Sequence, residues 1–279
     1  ERIQRAAEKW IAAINAGDPN ARPPNVVVTE ADDKIQVVVP DLVLTPTPGT
    51  DILIGTVQAT LTPVGDLPDD PDEDMMLTRR YQVDMQLPTR VGIRDGGDEG
   101  EITFETVASH GLWLPAIASF AQLDLHLTNL NLTNPDGVTI ANADMLRWYA
   151  GLDESTPNLW SGPSSFEIGG LAMQDPDGGT RVKLGRAYAE TLMTDINLQA
   201  YYDLAKTFGL DPTGPSGPID LRPEIDTLVD FAVSAITSTT FTMGLENLEV
   251  FETKDTKIVS MDSMTFGADG TLYVSPERG

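Results

Sequence analysis

Cysteine is absent from the 279 residues, so disulfides, thiolate nucleophiles and zinc sites built on Cys are excluded. Basic residues are scarce: 18 Lys and Arg stand against 43 Asp and Glu, for a net charge of −25. Such a chain repels the phosphate backbone and anionic membrane surfaces, which argues against nucleic acid as a partner. Histidine occurs twice, at His110 and His126, leaving little for histidine-based catalysis or metal binding. No apolar run approaches the roughly 18 residues of a membrane-spanning helix, and the first ten residues lack the apolar core of a signal peptide. The start fits either a mature end left by cleavage or a segment following an anchor. What remains is 41% hydrophobic and 22% charged, enough apolar material for a sizeable core.

The pattern begins helical. Ile3, Ala6, Ala7, Trp10, Ile11 and Ile14 recur at three- and four-residue steps, and Gly17 and Pro19 end the run. The expected organisation is an N-terminal helix within residues 1–20, then a single β domain over 21–279 with a helical insertion at about 197–237. In that insertion Leu198, Tyr201, Tyr202, Ala205 and Phe208 share one helical face, and Ile225, Leu228, Val229, Ala232 and Ile236 another. DPTGPSGPID links them.

Elsewhere the period is two, and it repeatedly slips. Val37 and Val39 precede Leu42 and Leu44; Leu125 and Leu127 precede Leu130 and Leu132. Phe166 and Ile168 precede Leu171 and Met173; Met243 and Leu245 precede Leu248 and Val250. Strand side chains alternate faces, so one extra residue would turn half of each strand inside out unless a bulge or sharp bend absorbs it. The segment after each turn slips as well: Ile52 and Ile54 before Val57 and Ala59, Val138 and Ile140 before Ala143 and Met145. Val182 and Leu184 before Ala187 and Ala189, and Val259 and Met261 before Met264 and Phe266, complete the set. The motif leucines lie near multiples of about 40 residues apart, the spacing of a repeat architecture. A further hairpin, with Tyr81, Val83, Met85 and Leu87 on one arm and Ile102 and Phe104 on the other, is joined through IRDGGDEG. The predicted fold class is therefore α+β, mainly β: a strongly curved antiparallel sheet of bulged hairpins, a trough or half-barrel, packed with two or three helices.

Three phrases carry a resemblance: the hairpin NLNLTNPDG, the strand-into-helix passage TDINLQAYYDLAKTFGL, and the N-terminal helix. Together they resemble the AsmA and YdgA group of bacterial envelope proteins, in style, from about Asp33 onward. The resemblance implies a periplasmic or otherwise exported protein, often tethered at its N-terminus, with a groove suited to lipid or to another envelope component.

Residue chemistry adds little. Asp70, Asp72 and Asp74 have the first spacings of a calcium loop, but Met75 and Tyr81 stand where an EF-hand needs Gly and Glu. Ser109 and His110 adjoin without an orienting acid or a G-x-S-x-G elbow. No phosphate-binding glycine motif occurs. Forty-three carboxylates would permit a glycan hydrolase but single out no pair. The remaining feature is the apolar interior, enriched in adaptable methionine. The expected function is non-catalytic binding or shielding of a lipid-like ligand, without cofactor or metal. The expected groove residues are Leu42, Leu44, Leu130, Leu132, Val138, Ile140, Leu171, Met173, Leu248 and Val250. The plainer alternative is a structural or protein-interaction module of the envelope with a filled core.

Overall fold

A computed structural model describes residues 3–4, 7–8, 11, 25–31, 34–47, 49–65, 80–96, 98–114, 119–156, 159–175, 179–197, 238–253 and 256–271. Thirteen antiparallel strands make one sheet. They are β1 (Val27–Ala31), β2 (Lys34–Thr47), β3 (Thr50–Val64), β4 (Arg80–Gln86), β5 (Arg90–Asp95), β6 (Asp98–Leu114) and β7 (Ser119–Thr133). β8 (Thr139–Gly151), β9 (Asp153–Thr156), β10 (Leu159–Gln174), β11 (Thr180–Asn197), β12 (Ser238–Thr253) and β13 (Thr256–Thr271) follow. The spatial order is β1-β2-β3-β4-β6-β7-β8-β10-β11-β12-β13, with β5 between β3 and β6 and β9 beside β10. Chain neighbours are almost always sheet neighbours, the topology that short turns favour.

This corrects the predicted α+β class. The described residues are almost wholly antiparallel strand, and no helix element lies among them; only Ile3, Gln4, Ala7, Glu8 and Ile11 have helical backbone. Asn197, expected to open a helix, instead ends β11 opposite Leu159. The neighbouring pair Ile196–Trp160 is buried, and that burial favours the strand over the local helical pattern. Residues 198–237, which hold the two expected later helices, lie outside the described residues, as do Asp70, Asp72 and Asp74.

The phase slips have a common cause. Asp41, Asn129, Gly170 and Asn247, each just before a motif leucine, have φ of +49°, +53°, +63° and +55°. Asn and Asp enter this left-handed region more easily than other side chains, and Gly enters it freely. From β7 to β13 the ladder keeps its register across these points, whereas β2–β3 is irregular at Leu42 and β6–β7 between Thr103 and Ala108. Thr128 faces Met145 and Leu130 faces Ala143; Arg186 faces Glu246 and Leu184 faces Leu248; Glu246 faces Ser263 and Leu248 faces Met261. Both strands of each pair therefore change phase together, and no net bulge remains. The positions Asn129, Asp144, Gly170, Gly185, Asn247 and Asp262 form one line across β7, β8, β10, β11, β12 and β13. Toward the other edge the line continues through Asp41 and Gly55 (φ +85°) and through the break between β4 and β5, where Phe104 N–H donates to Thr89 O at 3.0 Å. One strand differs from expectation. On β8 the change falls at Asp144, between Ala143 and Leu146, rather than between Ile140 and Ala143.

One face of this sheet carries the core. Ile35, Val37, Val39, Leu42, Leu61, Tyr81 and Val83 on β2–β4 are buried together with Ile11 and Val26, and Ile3 and Ala7 pack against them. A second cluster joins Leu114, Ala121, Leu152, Trp160 and Ile196 at one end of β6–β11.

Candidate apolar binding face

Paired residues of antiparallel strands share a face, so the register lists each face row by row. One row crosses ten strands: Ile35, Leu61, Val83, Gly111, Leu123, Ala150, Ser164, Thr191, Phe241 and Ala268. The face buried on β2–β4 is therefore the same face that continues to β13. Beside this row run Leu125, Trp148, Phe166, Ala189, Met243 and Phe266, and then Leu127, Leu146, Ile168, Ala187, Leu245 and Met264. Beyond the slip line lie Leu130 and Ala143, then Leu171, Leu184, Leu248 and Met261. Leu132, Ala141, Met173, Val182, Val250 and Val259 make the last row. No charged residue occurs in any of them.

Cover is uneven along this face. Ile35 and Val83 are buried, but Trp148, Phe166, Met243 and Phe266 are 51%, 41%, 46% and 59% exposed. Met173, Val259 and Met264 are also exposed. Large apolar side chains exposed singly are ordinary; a contiguous, charge-free set on neighbouring strands marks an interaction surface.

The opposite face is polar and paired. Arg147 Nε and Nη2 donate to both oxygens of Asp124 at 3.0 and 2.8 Å, and the guanidinium lies over the Tyr149 ring. Arg186 likewise donates to both oxygens of Glu167, at 2.8 and 3.1 Å, and contacts Glu190 and Glu246. Its guanidinium carbon is 4.3 Å from the Tyr188 ring centre. The Arg147 hydrogen bonds hold the Asp124 carboxyl below its ordinary range, with His110 and His126 adding smaller attraction. The same bonds push the Arg147 and Arg186 guanidinium groups up, and Lys257 lowers Glu249. The ion pairs thus sit on one face, and the apolar rows of the other carry no charged residue.

Of the expected groove residues, Leu42 is buried in the first core cluster and Leu44 packs against it. Leu130, Leu132, Leu171 and Leu248 are half-buried, as is Val250, and Met173 is exposed; all lie on the apolar face. Val138 and Ile140 fall outside the rows. Val138 belongs to the turn: its N–H donates to Asn134 Oδ1 at 2.8 Å and its carbonyl accepts from Asn134 N–H at 2.9 Å. Ile140 sits at the register shift that follows, and Ala141 and Ala143 hold the facing positions on β8. Trp148, outside the expected groove set, also lies on this face opposite Leu125 and Phe166, and its two-residue spacing from Leu146 is the sequence signal for it. Ser109 and His110, successive residues of β6, face Leu125 and Asp124 respectively, on opposite sides of the sheet, so they form no catalytic pair.

Among the described residues no helix is long and apolar enough to cross a membrane. No protein-family model, curated protein or solved structure matches this chain.

Proposed function

We propose that this chain is a non-catalytic bacterial envelope protein that binds a lipid-like apolar ligand on the uncovered part of its apolar face, over β8–β13. The observation that carries the reading is the row Trp148, Phe166, Ala189, Met243 and Phe266, continuous and charge-free, with its four large side chains exposed. Covering a Phe or Met side chain contributes about 1.5–3 kcal/mol, so a few such contacts offset the entropic cost of holding one flexible chain. Methionines at 173, 243 and 264 suit a ligand of variable shape. The acidic groups, lying elsewhere, keep the protein dispersed in water and leave the binding face neutral. Lack of cysteine and the envelope-protein resemblance support an exported location.

The test is direct. Native mass spectrometry and organic extraction of the purified protein should recover an amphiphile, and the stripped protein should take up a fluorescent fatty acid. Phe166→Asp should reduce that uptake at least tenfold while leaving the fold intact, because Phe166 is already partly in water. A protein that purifies clean and takes up no fatty acid ends the reading in favour of a protein-interaction module.

A further inference from the structure

Ser109 is a polar residue on the apolar face. It is buried, its hydroxyl is closed to solvent, and among the described residues Oγ has no hydrogen-bond partner. Buried hydroxyls are normally paired, and one left unpaired carries the full desolvation cost of the group. Tyr81 holds the other unpaired hydroxyl, but it is enclosed in the first core cluster. Ser109 instead begins a row that opens. It faces Leu125, and the row continues through Trp148, Phe166, Ala189, Met243 and Phe266. Cover falls along this row: Ser109 is buried, Leu125 half-buried and Trp148 exposed. With neighbouring strands about 4.8 Å apart, Phe166 lies about 14 Å from Ser109 and Phe266 about 29 Å, so an extended alkyl chain fits along the row.

Charge narrows the chemistry of such a chain's polar group. The apolar rows hold neither a cation nor a carboxylate. Arg147 and Arg186 lie on the opposite face, each already bonded to both oxygens of one carboxylate. An anionic head brought onto the apolar face would be desolvated without a counter-ion, in the field of a chain of net charge −25. A cationic head would likewise lose its hydration with no carboxylate of the rows to replace it.

Resting on the lipid reading above, we propose that the ligand is an uncharged amphiphile, a long-chain alcohol or an acylglycerol. Ser109 Oγ hydrogen-bonds its hydroxyl or ester oxygen where cover begins, and the alkyl chain lies over Leu125, Trp148 and Phe166. A serine hydroxyl both donates and accepts, so it pairs with either oxygen. Binding thereby satisfies a group that the folded chain leaves unpaired.

The probes are dodecanol, dodecanoate and dodecylamine, which share one chain and differ only in the head. Each is competed at neutral pH against a fluorescent fatty acid bound to the full chain. Dodecanol should bind at least about tenfold more tightly than either ion. Ser109→Ala should weaken dodecanol about fivefold, the worth of one hydrogen bond, and leave dodecanoate unchanged. The variant should melt no lower than the parent, because it loses only an unpaired hydroxyl. Dodecanoate or dodecylamine binding as tightly as dodecanol overturns the proposal while the lipid reading stands. So does a Ser109→Ala protein that binds dodecanol as the parent does. A protein that takes up neither the fluorescent fatty acid nor any of the three probes ends both.

Discussion

Asn129 on β7 stands opposite Asp144 on β8, and the ladder has the same register on either side of them: Thr128 faces Met145 and Leu130 faces Ala143. One residue of the pair, Asn129, takes φ +53°, and the facing strand changes phase with it. That concerted step keeps Leu127 and Leu130 on the same apolar side although three positions separate them. Without it, half of each strand would present its polar residues to the core.

Left-handed backbone costs a side-chain-bearing residue about 1–2 kcal/mol, less for Asn and nothing steric for Gly. Asn129→Gly should therefore leave stability within about 0.5 kcal/mol of the parent. Asn129→Val should lose about 1–3 kcal/mol, because a β-branched residue fits this conformation poorly. Urea denaturation of the two variants checks the contrast; equal stability would mean that the backbone there is not strained. Gly170→Ala faces the same φ problem with less room, since an added Cβ would lie 2.1 Å from the Asp144 carboxylate.

The motif leucines divide by cover. Leu42 and Leu184 are buried, whereas Leu130 and Leu171 are only half-buried. Leu42→Ala and Leu184→Ala should each cost about 2–5 kcal/mol, the range for a buried leucine. Leu130→Ala and Leu171→Ala should cost roughly 1–2 kcal/mol, since half the side chain already meets water. Thermal melts of the four variants should fall in that order.

These differences mark how far the sequence could be read. The period of two locates the strands, and each slip marks a two-residue gap where a bulge or bend is needed; the structure places a positive φ at Asp41, Asn129, Gly170 and Asn247 in those gaps, at residue types that tolerate it. The β8 slip falls later than the spacing predicts because Val138 and Ile140 imitate strand alternation while the Asn134 turn consumes the first of them. The strand runs through Asn197, one residue into the span where the spacing predicts helix, because local propensity knows nothing of Trp160, the distant partner that buries Ile196. The uneven cover of the apolar face was not legible at all. Ile35 and Phe266 lie on the same face in neighbouring rows, yet Ile35 is buried in the cluster that holds Ile11 and Val26 while Phe266 is exposed.

The pair Asp124–Arg147 links stability to pH. The carboxyl's pKa is depressed in the folded state, first by its hydrogen bonds to Arg147. A depressed acid contributes stability that is present above the unfolded value of about 4 and is lost as pH falls through the folded value. Both side chains are partly exposed, so the contribution is small, about 1 kcal/mol for this two-pronged geometry. Asp124→Asn should cost that amount at pH 7 and progressively less as pH falls below about 4, vanishing once the folded-state carboxyl is protonated. A cost that persists in acid would assign it to packing rather than charge.

Tyr81 offers the reverse case. Its ring is nearly inaccessible, lies 6.1 Å from that of Trp113, and belongs to the first core cluster. Among the described residues its hydroxyl has no hydrogen-bond partner. A buried hydroxyl left unpaired carries a desolvation penalty of about 1–3 kcal/mol, whereas the ring supplies the packing. Tyr81→Phe should keep the packing and remove the penalty, raising stability by up to about 1 kcal/mol. Tyr81→Ala should lose about 3–5 kcal/mol, because it empties the centre of the cluster. The polar atom and the ring thus make opposite contributions at one position, and the two variants separate them. If Tyr81→Phe instead lowers the melting temperature, the hydroxyl has a partner in solution, and this part of the core is wetter than its apolar lining implies.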